Sequence, residues 1–132
     1  MQNLLSNFFM VAIGGGIGAG CRYLFTEMMM QFVRGNSFPI TTILINIIGS
    51  FLMGFLHFLF TNYLDSLSPQ IRLLLATGIL GGFTTFSAFS LDVFRLINAN
   101  QISLVLAYVF SSMIFSILAI FFGFYLSKLL FS

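Results

Sequence analysis

Charge is what this sequence has least of. Of its 132 residues, 6% are charged and 59% are hydrophobic, whereas an ordinary soluble domain carries about 25% charged residues. A water-facing surface cannot be assembled from that inventory, so the bilayer is the solvent. The five cations, Arg22, Arg34, Arg72, Arg95 and Lys128, stand against three acids, Glu27, Asp65 and Asp92. They form no basic stripe of the kind that neutralises phosphates, and no nucleic-acid partner is expected. Cysteine occurs once, which excludes an intrachain disulfide; Cys21, between Gly20 and Arg22, reads as a small packing residue rather than a nucleophile. Met1 to Phe9 contains no lysine or arginine, so the charged region of a cleavable signal is missing and the first apolar segment is expected to be retained.

Chemistry-bearing clusters are equally scarce. The single histidine, His57, has no second imidazole, and neither Cys21 nor a carboxylate stands at a metal-ligand spacing from it, so a packed or interface-facing neutral ring is expected. The chain has no Ser/His/Asp constellation, no paired carboxylates in mid-membrane and no phosphate loop. It is not expected to be an enzyme.

What is present is apolar length. About 20 apolar residues cross a ~30 Å hydrocarbon layer as a helix, and four largely uncharged stretches qualify, at approximately 3–33, 39–64, 70–98 and 101–128. Short links bounded by Arg34-Gly35-Asn36-Ser37, Ser68-Pro69 and Asn98 join them into a single transmembrane domain over 1–132. The fold class is an all-α membrane protein of four transmembrane helices. The third span is irregular: Gly78, Gly81 and Gly82 lie beside Thr84, Thr85, Ser87 and Ser90. These residues predict a helix broken near its middle, which at membrane depth survives only around protein or a water-filled cavity. In the first span Gly14/Gly18 and Gly16/Gly20, and in the second Ser50/Gly54, repeat small residues at the four-residue spacing that lets helices pack closely.

Orientation is weakly specified. One face receives Arg72 and Lys128, the other Arg34 and Arg95, with Arg22 deeper on that second side. The positive-inside rule works through a difference between loops, and this near-balance permits insertion in both directions. Opposite insertion of identical chains allows a closed antiparallel dimer with its axis in the membrane plane; the alternative is a single orientation set by other factors.

Polar side chains fall into register on three spans. Thr42, Asn46 and Ser50 recur every fourth residue in the second span, and Tyr108, Ser112 and Ser116 do so in the fourth, each set forming one helix stripe. Asn46 has two donors and an acceptor to satisfy; it either faces an anion or bonds a neighbouring helix. The hydroxyl stripe either lines a pathway or bonds backbone and neighbouring helices. Phe86 and Phe89 share a face of the third span, interleaved with Ser87 and Ser90, and their ring edges are positive; lipid-facing or core packing is the alternative.

Three segments carry a family resemblance that covers nearly the whole chain. Gly15-Gly16-Ile17-Gly18-Ala19-Gly20-Cys21-Arg22-Tyr23, Thr42-Ile43-Leu44-Ile45-Asn46-Ile47-Ile48-Gly49-Ser50-Phe51 and Gly81-Gly82-Phe83-Thr84-Thr85-Phe86-Ser87-Ala88-Phe89-Ser90 resemble the motifs of the Fluc (CrcB) family of fluoride channels. The resemblance implies an antiparallel dual-topology homodimer in the cell inner (plasma) membrane, with two fluoride pores that export cytoplasmic fluoride passively. It implies a structural sodium ion held by the Gly81 and Thr84 carbonyls of both subunits. It assigns the fluoride pathway to Asn46, Phe86, Phe89, Tyr108, Ser112 and Ser116 and leaves Arg22 as a vestibule cation or a helix anchor; Thr42, on the Asn46 stripe, and Ser87, between the two rings, are expected to accompany that pathway. Ala88 stands where the family commonly has threonine, and Asp92 where it commonly has glutamate. Fluoride is small and tightly hydrated, so many closely placed donors must replace its water without a bare cation that would retain it. The competing class is a proton-coupled small multidrug exporter, which needs a titratable intramembrane carboxylate; Glu27, Asp65 and Asp92 all lie in links or near span ends.

Overall fold

A computed structural model of the chain describes residues 2–33, 38–63 and 67–131. The expected link at Arg34 to Ser37, and Leu64 and Asp65 in the next link, lie outside the described residues. Four long apolar helical spans are present and no strand occurs among the described residues. Helix α1 covers Gln2–Phe32 and α2 covers Ile40–Asn62. The third span is composite: α3 at Pro69–Arg72, π-helical turns at Leu73–Leu80, α4 at Gly81–Phe83 and α5 at Phe86–Asn98. Helix α6 covers Ile102–Phe131. At 1.5 Å per residue the longer helices exceed a ~30 Å hydrocarbon layer, which carries Lys128, in the last turn of α6, toward the interface.

Local chemistry sets the ends. Pro69 occupies the start of the third span, where its missing N–H costs nothing, and the Ser68 hydroxyl accepts from the Ile71 N–H. Helix α5 closes on Asn100, whose φ of 56° is left-handed. The Gln101 N–H returns to the Leu96 carbonyl and the Asn100 N–H to that of Ile97, the paired bonds of a Schellman stop. That stop turns the chain directly into α6.

Glycine decides which helices meet. A Cβ on Gly14 would lie 2.9 Å from Gly78 Cα, and one on Gly18 would lie 2.8 Å from the Phe83 nitrogen and overlap the Ile79 carbonyl oxygen. Helix α1 therefore rests, backbone on backbone, along the third span and parallel to it. Gly54 approaches the Ile120 carbonyl and Gly123 the Phe51 carbonyl with equal closeness, pairing α2 with α6, again in parallel. Gly16 and Gly20, which share the spacing, have open space at their Cβ positions. A small interior of Ile43, Leu96 and Tyr108, flanked by Phe38, Ile47, Phe89 and Val93, joins the two pairs. Large apolar side chains such as Phe110, Ile114 and Phe121 face outward, as a lipid solvent allows.

Candidate functional site

Between α4 and α5 the backbone leaves the helix for two residues. Thr84 has φ −71° and ψ 158°, and Thr85 has φ −151° and ψ 121°, both extended. The backbone polar groups of these two residues find partners. The Thr84 N–H and hydroxyl both donate to the Leu80 carbonyl, at 3.0 Å each. The Thr85 hydroxyl caps α5 by accepting from the Ala88 N–H at 3.1 Å. Asn46 of α2 bonds Thr85 twice, its Oδ1 accepting from the Thr85 N–H at 2.9 Å and its Nδ2 donating to the Thr85 carbonyl at 3.1 Å. From a second helix, α1, Arg22 Nη1 donates to the Thr84 carbonyl at 3.3 Å.

This dipeptide forms part of the wall of an open cavity of about 400 Å³. Asn46, Thr84, Thr85, Ser112 and Ser116 supply its polar lining, and Gly49, Ser50, Met53, Phe86, Phe89 and Ile117 much of the remainder. Among the described residues no charged side chain lines it. Ser112 is 5% exposed, and the buried Ser116 Oγ has no hydrogen-bond partner among the described residues. The Phe86 and Phe89 rings lie 5.5 Å apart, tilted by 35°, and Phe86 is 79% exposed on the single chain.

Asn46, Phe86, Phe89, Ser112, Ser116 and Thr84 thus meet at one cavity; Thr42, Tyr108 and Ser87 stand behind it. The Thr42 hydroxyl donates to Asp92 Oδ2 at 2.8 Å and the Tyr108 hydroxyl to the same oxygen at 3.1 Å. Arg95 approaches Oδ1 at 3.7 Å. Tyr108 is fully buried and its ring lies 5.1 Å from that of Phe89, so it packs against the aromatic wall. The Ser87 hydroxyl lies 3.3 Å from that of Thr85. Ser111, off the stripe, bonds the Tyr108 carbonyl within its own helix. Gly81 lies in α4, just ahead of the extended pair. Cys21 and His57 are exposed, the imidazole 6.2 Å from the Phe124 ring.

Sequence reasoning did not select Thr85, Ser50 or the methionines as site residues. Thr85 had a legible signal, since threonine directly before Phe-Ser-Ala-Phe-Ser is an N-cap pattern. Ser50 already sat on the Asn46 stripe. Met53 and Met113 carry no distinguishing signal in so apolar a chain.

Comparison with known proteins adds an independent line. The family model described as "CrcB-like protein, Camphor Resistance (CrcB)" matches residues 9–124. The chain is 48% identical over 122 residues to the fluoride-specific ion channel FluC of Chelativorans sp. (strain BNC1), covering 92% of this chain and 96% of that protein. It is 44% identical over 125 residues to the protein of that name in Agrobacterium fabrum, covering 95% and 98%. With the Hydrogenobaculum sp. (strain Y04AAS1) protein, also named fluoride-specific ion channel FluC, identity is 41% over 124 residues, covering 94% and 99%.

Proposed function

We propose, from the premise that this chain belongs to the CrcB-like protein family, that it is a fluoride-selective channel through which cytoplasmic fluoride leaves the cell passively. It is a multi-pass protein of the plasma membrane, and the family is one of channels, neither enzymes nor multidrug exporters. One observation carries the reading: the cavity is lined by uncharged donors and aromatic rings, with no charged side chain among the described residues that line it. An anion that must shed its water needs many donors, and it must also depart. The Ser116 hydroxyl has no partner among the described residues, Ser112 lies beside it on the same stripe, and Asn46 holds one amide hydrogen in reserve after its two bonds to Thr85. Phe86 and Phe89 add positive ring edges.

The conducting unit in this reading is an antiparallel homodimer of dual topology with two pores. The exposed Phe86 ring and the outward-open cavity support it, because a second copy would cover both. Thr42, Tyr108 and Ser87 enter as the outer part of the pathway; the first two direct their hydroxyls to Asp92 and would reach fluoride by exchanging that partner.

The interrupted third span also fits a structural sodium ion. A continuous helix would direct the Thr85 N–H to the Gly81 carbonyl, but here it goes to Asn46, and the extended ψ of Thr84 turns its carbonyl off the helix axis. Oxygens of unwound membrane backbone are sodium donors. Arg22 uses one lone pair of the Thr84 carbonyl and leaves the second. Gly81 and Thr84 of both subunits would hold the ion, which supplies fixed positive charge between the pores.

Fluoride efflux from protein-loaded liposomes, beside a chloride control, tests the function. Fluoride is expected to leave and chloride to stay. Asn46→Asp is expected to abolish fluoride efflux, since a carboxylate at the cavity repels an anion about 4 Å away by roughly 4 kcal/mol. Undiminished efflux from that variant, or equal efflux of both halides from the wild type, would sink the proposal.

A further inference from the structure

The geometry points to Asn46 and Arg22, from two different helices, as a two-armed clamp that selects the unwound form of Thr84–Thr85, making both of them positioning residues for the wall of the cavity. The clamp itself is independent of any ion; only its consequence for conduction rests on the channel reading.

Two residues of extended backbone within a membrane helix are costly unless their polar groups are satisfied. The alternative, a continuous helix through 84 and 85, satisfies them internally, so something must favour the open form. Asn46 does so through shape. In an extended residue the N–H and C=O point to the same side, as they do toward one neighbour in a β-ladder; in a helical residue they point in opposite directions along the axis. A single carboxamide, with acceptor and donor side by side, can therefore take both groups of Thr85 only when that residue is extended. Both bonds are present, at 2.9 and 3.1 Å. Contacts made in one conformation and not in the other bias a two-state element.

Arg22 completes the grip. The Thr84 carbonyl, released from the helix by ψ 158°, meets Nη1 from α1 at 3.3 Å. The two arms come from helices whose positions are fixed separately: α1 by Gly14 and Gly18 on the third span, and α2 by Gly49, where a Cβ would overlap Thr84 Cγ2. The Thr85 hydroxyl then starts α5. Asn46 thus acts first on the backbone, and its remaining amide hydrogen is oriented by that act.

Solid-state NMR of the full chain in bilayers, with carbon-13 threonine and nitrogen-15 asparagine, reads this without fluoride. The wild type is expected to give extended-type shifts at Thr84 and Thr85 and through-space transfer from the Asn46 side-chain nitrogen to the Thr85 carbonyl. Asn46→Leu is expected to move Thr85 to helical shifts while remote Thr26 and Thr61 stay unchanged. Asn46→Asp, which keeps the acceptor and loses the donor, is expected to speed exchange of the Thr85 N–H roughly tenfold as the grip loosens. Arg22→Lys should leave Thr84 extended, and Arg22→Gln should shift it. Extended shifts retained at Thr85 in Asn46→Leu would overturn the clamp even if fluoride efflux were lost, because Asn46 would then serve conduction alone. If Asn46→Leu does not fold, the wild-type transfer decides, and its absence overturns the proposal.

Discussion

Gly18→Ala should loosen α1 from the third span, and the size of the effect follows from three atoms. A methyl at Gly18 meets the Phe83 nitrogen at 2.8 Å and the Ile79 carbonyl carbon at 2.9 Å, and overlaps the Ile79 carbonyl oxygen; ordinary Cβ contacts begin at 3.4 Å. The facing backbone must recede by at least about 0.6 Å. All three atoms are main chain, so no side chain can swing aside. Overpacking of this kind costs about 1–3 kcal/mol, and the upper half of that range applies here. Alanine recovers up to about 1 kcal/mol through helix propensity, which leaves a net loss on the order of 1–2 kcal/mol. The wedge sits one turn before Arg22 and against Phe83, the residue preceding Thr84, so the same shift should stretch the Arg22 bond and lower fluoride efflux. Gly16→Ala is the control: nothing lies within 4 Å of its Cβ, and only the propensity gain remains. Thermal unfolding of both variants in detergent checks the argument. Gly18→Ala should melt below the wild type and Gly16→Ala at or above it; a Gly18→Ala midpoint at or above the wild type would refute the packing analysis.

Three further outcomes are expected. Thr85→Ala removes the α5 cap and should cost about 0.5–2 kcal/mol of stability, whereas Thr85→Ser should retain most of it; chemical denaturation in detergent measures both. Ser116→Ala should leave stability unchanged or slightly raised, because the buried hydroxyl it removes has no partner among the described residues, yet slow fluoride efflux from liposomes; a stability loss without an efflux change would reverse its assignment. Tyr108→Phe should cost about 1 kcal/mol through the lost bond to Asp92. Arg95→Gln should cost less than that by the same denaturation assay, since its side chain is 68% exposed at 3.7 Å from the carboxylate.

Much of the site could be read from the chain because helical registers are one-dimensional. Ser112 and Ser116 reach the cavity from a spacing of four, and Asn46 and Ser50 share it for the same reason. Spacing does not say which neighbour a polar group meets, however. Thr42 and Tyr108 belong to the same stripes as the cavity residues, but Asp92 approaches from another span and takes both hydroxyls. Gly14 and Gly16 likewise have similar sequence surroundings, and only the position of the third span makes one a contact and the other open space. Arg22 offered two roles in the sequence, and its bond to the Thr84 carbonyl depends on a ψ angle that no residue type specifies.

The amino-acid sequence by itself determined the solvent and the number of spans: so little charge leaves no alternative to lipid, and apolar length counts the crossings. It also determined where regular helix is weakest, because the glycines and threonines around Gly81 to Thr85 favour neither a buried helix face nor a cap-free ladder. Tertiary structure decided how that weakness is used. The two extended residues require partners for their backbone groups, and those partners, an amide on α2 and a guanidinium on α1, lie 39 and 62 residues away in the chain. Their meeting depends on backbone contacts between packed helices, a distance condition that local sequence cannot express.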